Sequence, residues 1–302
     1  MGVHLRPIHH PIHLTGENQE HGDNTMTNKP QFPTLTDWEP TRQTLHRYCL
    51  AIGVIPRAHA EFHPQWWHIS FKVQPEGLRT GDMDRPGGGR FWLVMDLKQH
   101  RVVLHTDEGP SREFDMTQGL TATQFGDALL AAVAELGLSA DYAREKFEND
   151  EPRDYNPAAV GRYLTALLSA DRIFKEHRAT LRGDVGPVQL WPHNFDLAFE
   201  WFGAPVKSQE QDGRLQEHRS QINLGFYPGD PQNAPYFYSN PWPFEAEKLT
   251  NHSLPEGARW FTESWQGTIL PYDELAGDPN AENRLKEYAR AVFDIALPTL
   301  MA

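Results

Sequence analysis

Apolar residues recur at helical spacing over residues 40–53, 121–137, 158–181 and 280–297, which predicts four helices. Gly53 with Pro56 is expected to end the first, Gly183 follows the third, and Pro298 is expected to stop the last. The second has the clearest boundaries, with Thr121 placed as N-cap and Gly137 at the C-terminal end. Strict alternation of apolar and polar positions predicts a strand over 66–73. A hairpin is expected over 90–97 and 100–106, turning at Lys98-Gln99. Further strands are expected at 187–191, 195–202, 219–226, 235–239 and 265–270, with a polar loop over 207–218.

Strands therefore cluster between helices instead of alternating with them. This order predicts an α+β fold of antiparallel sheets packed with helices, not a doubly wound sheet. Both halves read as helix, strands, helix, so the chain divides into a first half at 34–147 and a second at 148–302, packed as one unit, with a duplication as their origin. The charged, proline-bearing stretch 144–157 is the natural link between them. Residues 1–33 show no apolar period and carry His4, His9, His10, His13 and His21; they read as a disordered tail able to hold Ni²⁺ or Zn²⁺ adventitiously, with Met26 an alternative first residue.

Bulk properties narrow the function. Of 302 residues, 39% are apolar, with 9 Trp, 9 Tyr and 16 Phe, enough for a substantial core. A net charge of −13 opposes nucleic-acid phosphates and anionic lipid, so neither is an expected partner. A single cysteine, Cys49, forbids an intrachain disulfide, which fits a reducing, cytoplasmic setting. No apolar run approaches the roughly 20 residues that a membrane helix needs. Nucleophile elbow, His-Glu-x-x-His, phosphate loop and dinucleotide fingerprint are all missing; the glycine run at 87–89 lacks the required spacing.

The stretch Gly186-Pro187-Val188-Gln189-Leu190-Trp191-Pro192-His193-Asn194-Phe195-Asp196-Leu197-Ala198 resembles a bacterial family, the domain of unknown function 5996. Trp66-Trp67-His68, the helical segment Asp171-Arg172-Ile173-Phe174-Lys175-Glu176, Gly225-Phe226-Tyr227-Pro228-Gly229-Asp230 and Gly267-Thr268-Ile269-Leu270-Pro271-Tyr272 fit as well, so the likeness spans residues 38–297. Many members carry Trp-Gly-Ser where this chain has Pro192-His193-Asn194, so His193 is not a requirement of the resemblance. The resemblance implies no activity, cofactor or catalytic residue.

Candidate chemistry comes from strand faces. Phe195, Leu197, Phe199 and Trp201 share one apolar face, and Asp196, Ala198 and Glu200 the other. Asp196 and Glu200 have Cα atoms about 13 Å apart in a strand, too far for a paired-carboxylate site of the glycosidase kind. His193 and Asp196 converge only if proline breaks the strand there, and then form half of a metal site. His68, on the polar face of 66–73, joins them if both strands lie in one sheet; its plainer role is a packed surface histidine. Glu217, upstream of the 219–226 strand, is a further base or ligand. On the long helix Lys175, Arg178 and Arg182 form a basic stripe, either a solvated face or a hold on an anionic group. An aromatic-proline stretch, including Tyr238, Trp242 and Trp265, walls a groove or packs over the sheet.

Two functions follow. One is a metal-dependent hydrolase of esters or phosphoesters: a divalent ion (Zn or Mn) on His68, His193 and Asp196, His193 and Glu217 in catalysis, and Arg178, Tyr238, Trp242 and Trp265 holding a small-molecule substrate. The other is a non-catalytic protein binding a small molecule or peptide in the aromatic-proline groove. The sequence sets no oligomeric state.

Overall fold

The computed structural model describes residues 31–211 and 214–301. The helices are α1 (Glu39–His59), α2 (Ala122–Glu135), α3 (Pro157–Arg178), a single turn α4 (Ala246–Leu249) and α5 (Ala281–Leu300). Among the described residues the strands form two antiparallel sheets, and the fold is α+β. The smaller sheet holds β1 (Lys72–Gln74), β2 (Gly77–Arg79), β3 (Met83–Asp84), β4 (Arg90–Asp96), β5 (Arg101–Thr106) and β6 (Arg112–Asp115). The larger holds β7 (Asp184–Val185), β8 (Gln189–Trp191), β9 (Asp196–Gln211), β10 (Arg214–Tyr227), β11 (Tyr236–Ser239), β12 (Pro241–Trp242), β13 (Arg259–Phe261) and β14 (Gly267–Pro271). Among the described residues no helix is long and apolar enough to cross a membrane.

Local signals hold where tertiary contacts agree with them. The Thr121 hydroxyl accepts from the Gln124 N–H while the Gln124 side chain accepts from the Thr121 N–H, a reciprocal cap that fixes the start of α2. β4 and β5 pair around the turn at Lys98-Gln99, whose N–H groups are both taken by the Asp96 carboxylate.

Four expectations are corrected by long-range packing. Residues 66–73 are not a strand: Trp67–Ile69 is a turn of 3₁₀ helix, Trp66 sits at φ 60°, Phe71 makes a single bridge to Leu190 of the larger sheet, and Lys72–Gln74 enters the smaller sheet. The alternation there comes from rings stacking along the turn, His63 on Trp67 and Trp66 on His68. α1 runs through Gly53 and Pro56 to His59, since Gly53 is a point of close approach and not a stop. α5 continues past Pro298 to Leu300, whose carbonyl accepts from the Ser220 hydroxyl at 2.7 Å. Residues 207–211 and 214–218 are paired arms of β9 and β10, polar at every position but Leu215 and so without a readable period.

Residues 32 and 33, expected in the tail, are packed. Residues 1–30, with all five tail histidines, lie outside the described residues. Phe32 is fully buried, its ring edge-on to Phe237 and Tyr272 at 5.5 and 6.0 Å. The stretch 144–157 is packed as well: the Phe147 ring fills the space left by Gly126, and Arg153 is buried against Asn149 and Glu151.

One apolar core runs through both sheets. On the larger sheet Leu197, Phe199, Ile222, Leu224, Phe226 and Phe237 face inward, with Phe174 of α3 and Phe293 of α5 packed on Phe199. The side chains that alternate with them on β9 and β10, among them Asp196, Glu200 and Asn223, point to the other face, where they line a hollow with α1 residues, and the site lies there.

Candidate functional site

The β8–β9 hairpin sets the geometry. Trp191 pairs with Asp196, so residues 192–195 form the tip. Phe195 closes it with an N–H bond to the Trp191 carbonyl at 2.8 Å and a φ of 59°, a left-handed conformation rare outside glycine. Its ring holds it there, fully buried between His46 and Tyr163. α1 clamps the tip from outside. A Cβ at Gly53 would stand 3.1 Å from the Pro192 Cβ, so only glycine lets the two segments meet this closely. His46 Nε2–H donates to the His193 carbonyl at 3.1 Å. Burial first, and then the Arg42 charge, lowers His46 to a pKa of about 4, so its ring is neutral with Nε2 as donor.

Three connected hollows make a groove along the open face. The first, of about 500 Å³, has Trp66 and Arg57 on one side, Trp191 and Pro192 on another, and Asp196, Glu200 and Asn223 as floor. The second, about 690 Å³, continues from Asp196 and Tyr238 toward Tyr236, Phe261 and Trp265. The third, about 460 Å³, runs from Trp66 and Glu200 toward His218 and Trp242. Asn223 borders all three, and its side-chain oxygen accepts from the Asn240 N–H at 2.8 Å. Aromatic walls around a few convergent polar groups are the common build of a small-molecule site. Trp66, at the mouth and 42% exposed, takes a φ of 60°, backbone strain of the kind concentrated at binding sites.

The floor is electrostatically unfinished. Asp196 is 5% exposed; its Oδ2 accepts from the Tyr238 hydroxyl and its Oδ1 has no partner among the described residues. Burial raises its pKa, opposed by the Tyr238 hydrogen bond and by His193. Gly225 makes the Tyr238 contact possible: a Cβ there would lie 2.2 Å from Tyr238 Cζ, so the phenol crosses β10 only over glycine. Glu200 Oε2 is also buried and unpartnered. Burial, and then the charge of Asp196, pushes Glu200 up to about 7. A buried acceptor without a donor costs free energy that a ligand donor would recover.

The expected residues are placed as follows. His193 and Asp196 line the same hollow because proline does turn the chain there, and Tyr238 joins them. Tyr238 and Trp265 line the second hollow and Trp242 the third. His68 lies apart, in a separate hollow with Trp67 and Gln189, because Trp67–Ile69 is a helical turn and the segment meets the larger sheet only at Phe71, bridged to Leu190. Its Nδ1 accepts from the His63 N–H at 3.2 Å, and burial lowers its pKa. Arg178 donates to the Gly186 and Val185 carbonyls at 2.6 and 2.9 Å, tying α3 to the strand that leads into the hairpin. Lys175 pairs with Asp171 at 2.7 Å. Glu217 has its backbone on β10, and its side chain lies outside the described residues. Among the described residues no three of His, Cys, Asp and Glu converge as a metal group would require.

Sequence reasoning passed over Glu200. Its spacing from Asp196 excludes contact between the carboxyl groups but not a shared wall; both in fact line one hollow, and the charge of Asp196 helps to raise Glu200. Strand alternation had already put them on one face; what it lacked was the open state of that face. Trp191, Asn223 and the clamp His46 were likewise visible only through the register of β8, β9 and β10.

The family model described as a family of unknown function (DUF5996) matches residues 30–300, and the chain belongs to that family. No curated protein and no solved structure matches it.

Proposed function

We propose that this protein binds a small molecule in the groove on the open face of the larger sheet, with Asp196 and Glu200 as acceptors for the ligand's hydrogen-bond donors. The observation that carries the reading is the pair of buried, unpartnered oxygens, Asp196 Oδ1 and Glu200 Oε2, in the floor of one aromatic-walled hollow. Trp66, Trp191, Trp242 and Trp265 line the groove, so occupancy should change tryptophan fluorescence.

A thermal-shift and fluorescence screen of small amines, polyols and amino acids tests it. Compounds that bind are expected to raise the melting temperature, since a ligand at a hundredfold its Kd adds about 2.7 kcal/mol to the folded state. The double variant Asp196→Asn, Glu200→Gln, close to isosteric, is expected to lose at least tenfold in affinity for every such compound. Equal binding to the variant and the parent protein would overturn the reading.

Catalysis is the second reading, and Glu200 favours it. A carboxyl group near neutrality beside a ligand hollow is suited to proton transfer at pH 7. A hydrolase of esters or phosphoesters would then use Glu200 as its base. A divalent Zn or Mn ion in that scheme would rest on His193 and Asp196, completed by ligand or water.

A further inference from the structure

We infer that the ligand of the first hollow is a small zwitterion, its ammonium group on the acidic floor, at Asp196 or Glu200, and its carboxylate or phosphate between Arg57 and Lys146. This inference rests on the small-molecule reading of the groove and specifies the class of molecule it takes.

The charges in this hollow are sorted by depth. The acidic groups are on the floor, each with a buried oxygen that no donor among the described residues reaches. The basic groups, Arg57 and Lys146, line the same hollow but are exposed at its rim. Neither is in an ion pair among the described residues, although the chain carries 41 acidic residues against 28 lysines and arginines. Nearby arginines do find acids: Arg42 pairs with Glu39, and Arg144 with Asp127 and Glu148. Instead the Arg57 guanidinium lies over the Trp66 ring at 4.9 Å, a contact that leaves its in-plane N–H donors available.

Each end rejects the wrong half of the ligand. A free anion would meet two carboxylates at the floor, and a simple dication would meet two bases at the rim. A neutral polyol would satisfy the floor and leave the rim idle. A molecule with separated opposite charges satisfies both, and about 500 Å³ accommodates one of amino-acid to dipeptide size.

The test is calorimetric titration with three matched probe sets at pH 7.5: free α- and ω-amino acids of increasing length, their carboxamides, and their N-acetyl derivatives. Free forms of one length are expected to bind at least tenfold more tightly than either derivative. Arg57→Gln and Lys146→Gln are expected to narrow the ratio between free acid and amide toward one. Glu200→Gln narrows the ratio between free amine and N-acetyl form. Both substituted bases are exposed, so these variants should fold, and circular dichroism verifies it. Amides or polyols binding as well as the free acids, with sensitivity to Asp196 and Glu200 retained, would overturn the zwitterion and keep the groove. Binding of no probe at all, or binding indifferent to Asp196 and Glu200, would overturn both.

Discussion

Glutamine at position 200 is expected to make the unliganded protein more stable at pH 8 by roughly 3 kcal/mol, with little change at pH 4. The sign follows from the direction of the shift. Burial and the charge of Asp196 raise the Glu200 carboxyl to about 7 in the folded chain, against 4.5 for the free group. The folded state therefore holds its proton where the unfolded state has released it. Below the unfolded value both states are protonated and Glu200 has no effect on stability. Between the two values the folded state loses about 1.4 kcal/mol per pH unit, and above about 7 the full deficit persists. Glutamine cannot ionise and removes this slope. Urea denaturation of both proteins from pH 4 to 8.5 measures it, and the difference between the two curves isolates position 200 from the parallel titration of Asp196. Curves that stay parallel across that range would show that Glu200 is ordinarily solvated. A gain in stability from removing a charged group is the mark of a residue kept for binding or chemistry and not for the fold.

Alanine at Phe32 is expected to cost about 3–5 kcal/mol, the usual range for emptying a fully buried phenylalanine site. The residue belongs to what reads in sequence as a tail, yet its ring has no exposure and packs edge-on to Phe237 and Tyr272. The backbone around it is fastened too: the Phe32 carbonyl accepts from Gly277 N–H at 2.9 Å, and the Pro33 carbonyl from the Tyr272 hydroxyl at 2.6 Å. Phe237 lies on β11 between Tyr236 and Tyr238, which face the groove from the opposite side of the strand. Loosening the core there should also weaken ligand affinity. Leucine, which retains most of the apolar contact, is expected to cost less than half as much as alanine. Chemical denaturation supplies both values, and a loss below about 1 kcal/mol for alanine would mean that the segment does not hold the sheet.

These two residues also mark the limits of what the chain discloses. Elements governed by neighbours in sequence were readable: the Thr121–Gln124 cap, the β4–β5 hairpin with its Asp96 turn, and the alternation from Leu197 to Trp201 that assigns one face to the core. Features decided by distant partners were not. Gly53 reads as a helix stop until Pro192, far along the chain, is seen to lie against it. Pro298 reads as a helix end, but the following turn is held by Ser220. The 66–73 segment has a strand's alternation and a turn's geometry, because its rings stack on one another and not across a sheet.

The site shows the same division. Asp196, His193, Tyr238, Trp242 and Trp265 could be named from residue type and alternation, and all border the groove. Joining His68 to them required it to sit on a strand beside β9, and it sits instead on a helical turn whose segment touches the larger sheet only at Phe71. The importance of Glu200 depends on burial without a partner, a property of the folded chain alone.

The central claim is that the carboxylates of Asp196 and Glu200 face a ligand. Crystals soaked in turn with millimolar small amines, polyols and amino acids test it most directly. The account predicts density in the hollow between Trp66 and Trp191, with ligand donor atoms within hydrogen-bond distance of Asp196 Oδ1 and of Glu200 Oε2. Soaked molecules that collect elsewhere on the surface and leave that hollow to solvent, across the whole panel, would contradict it.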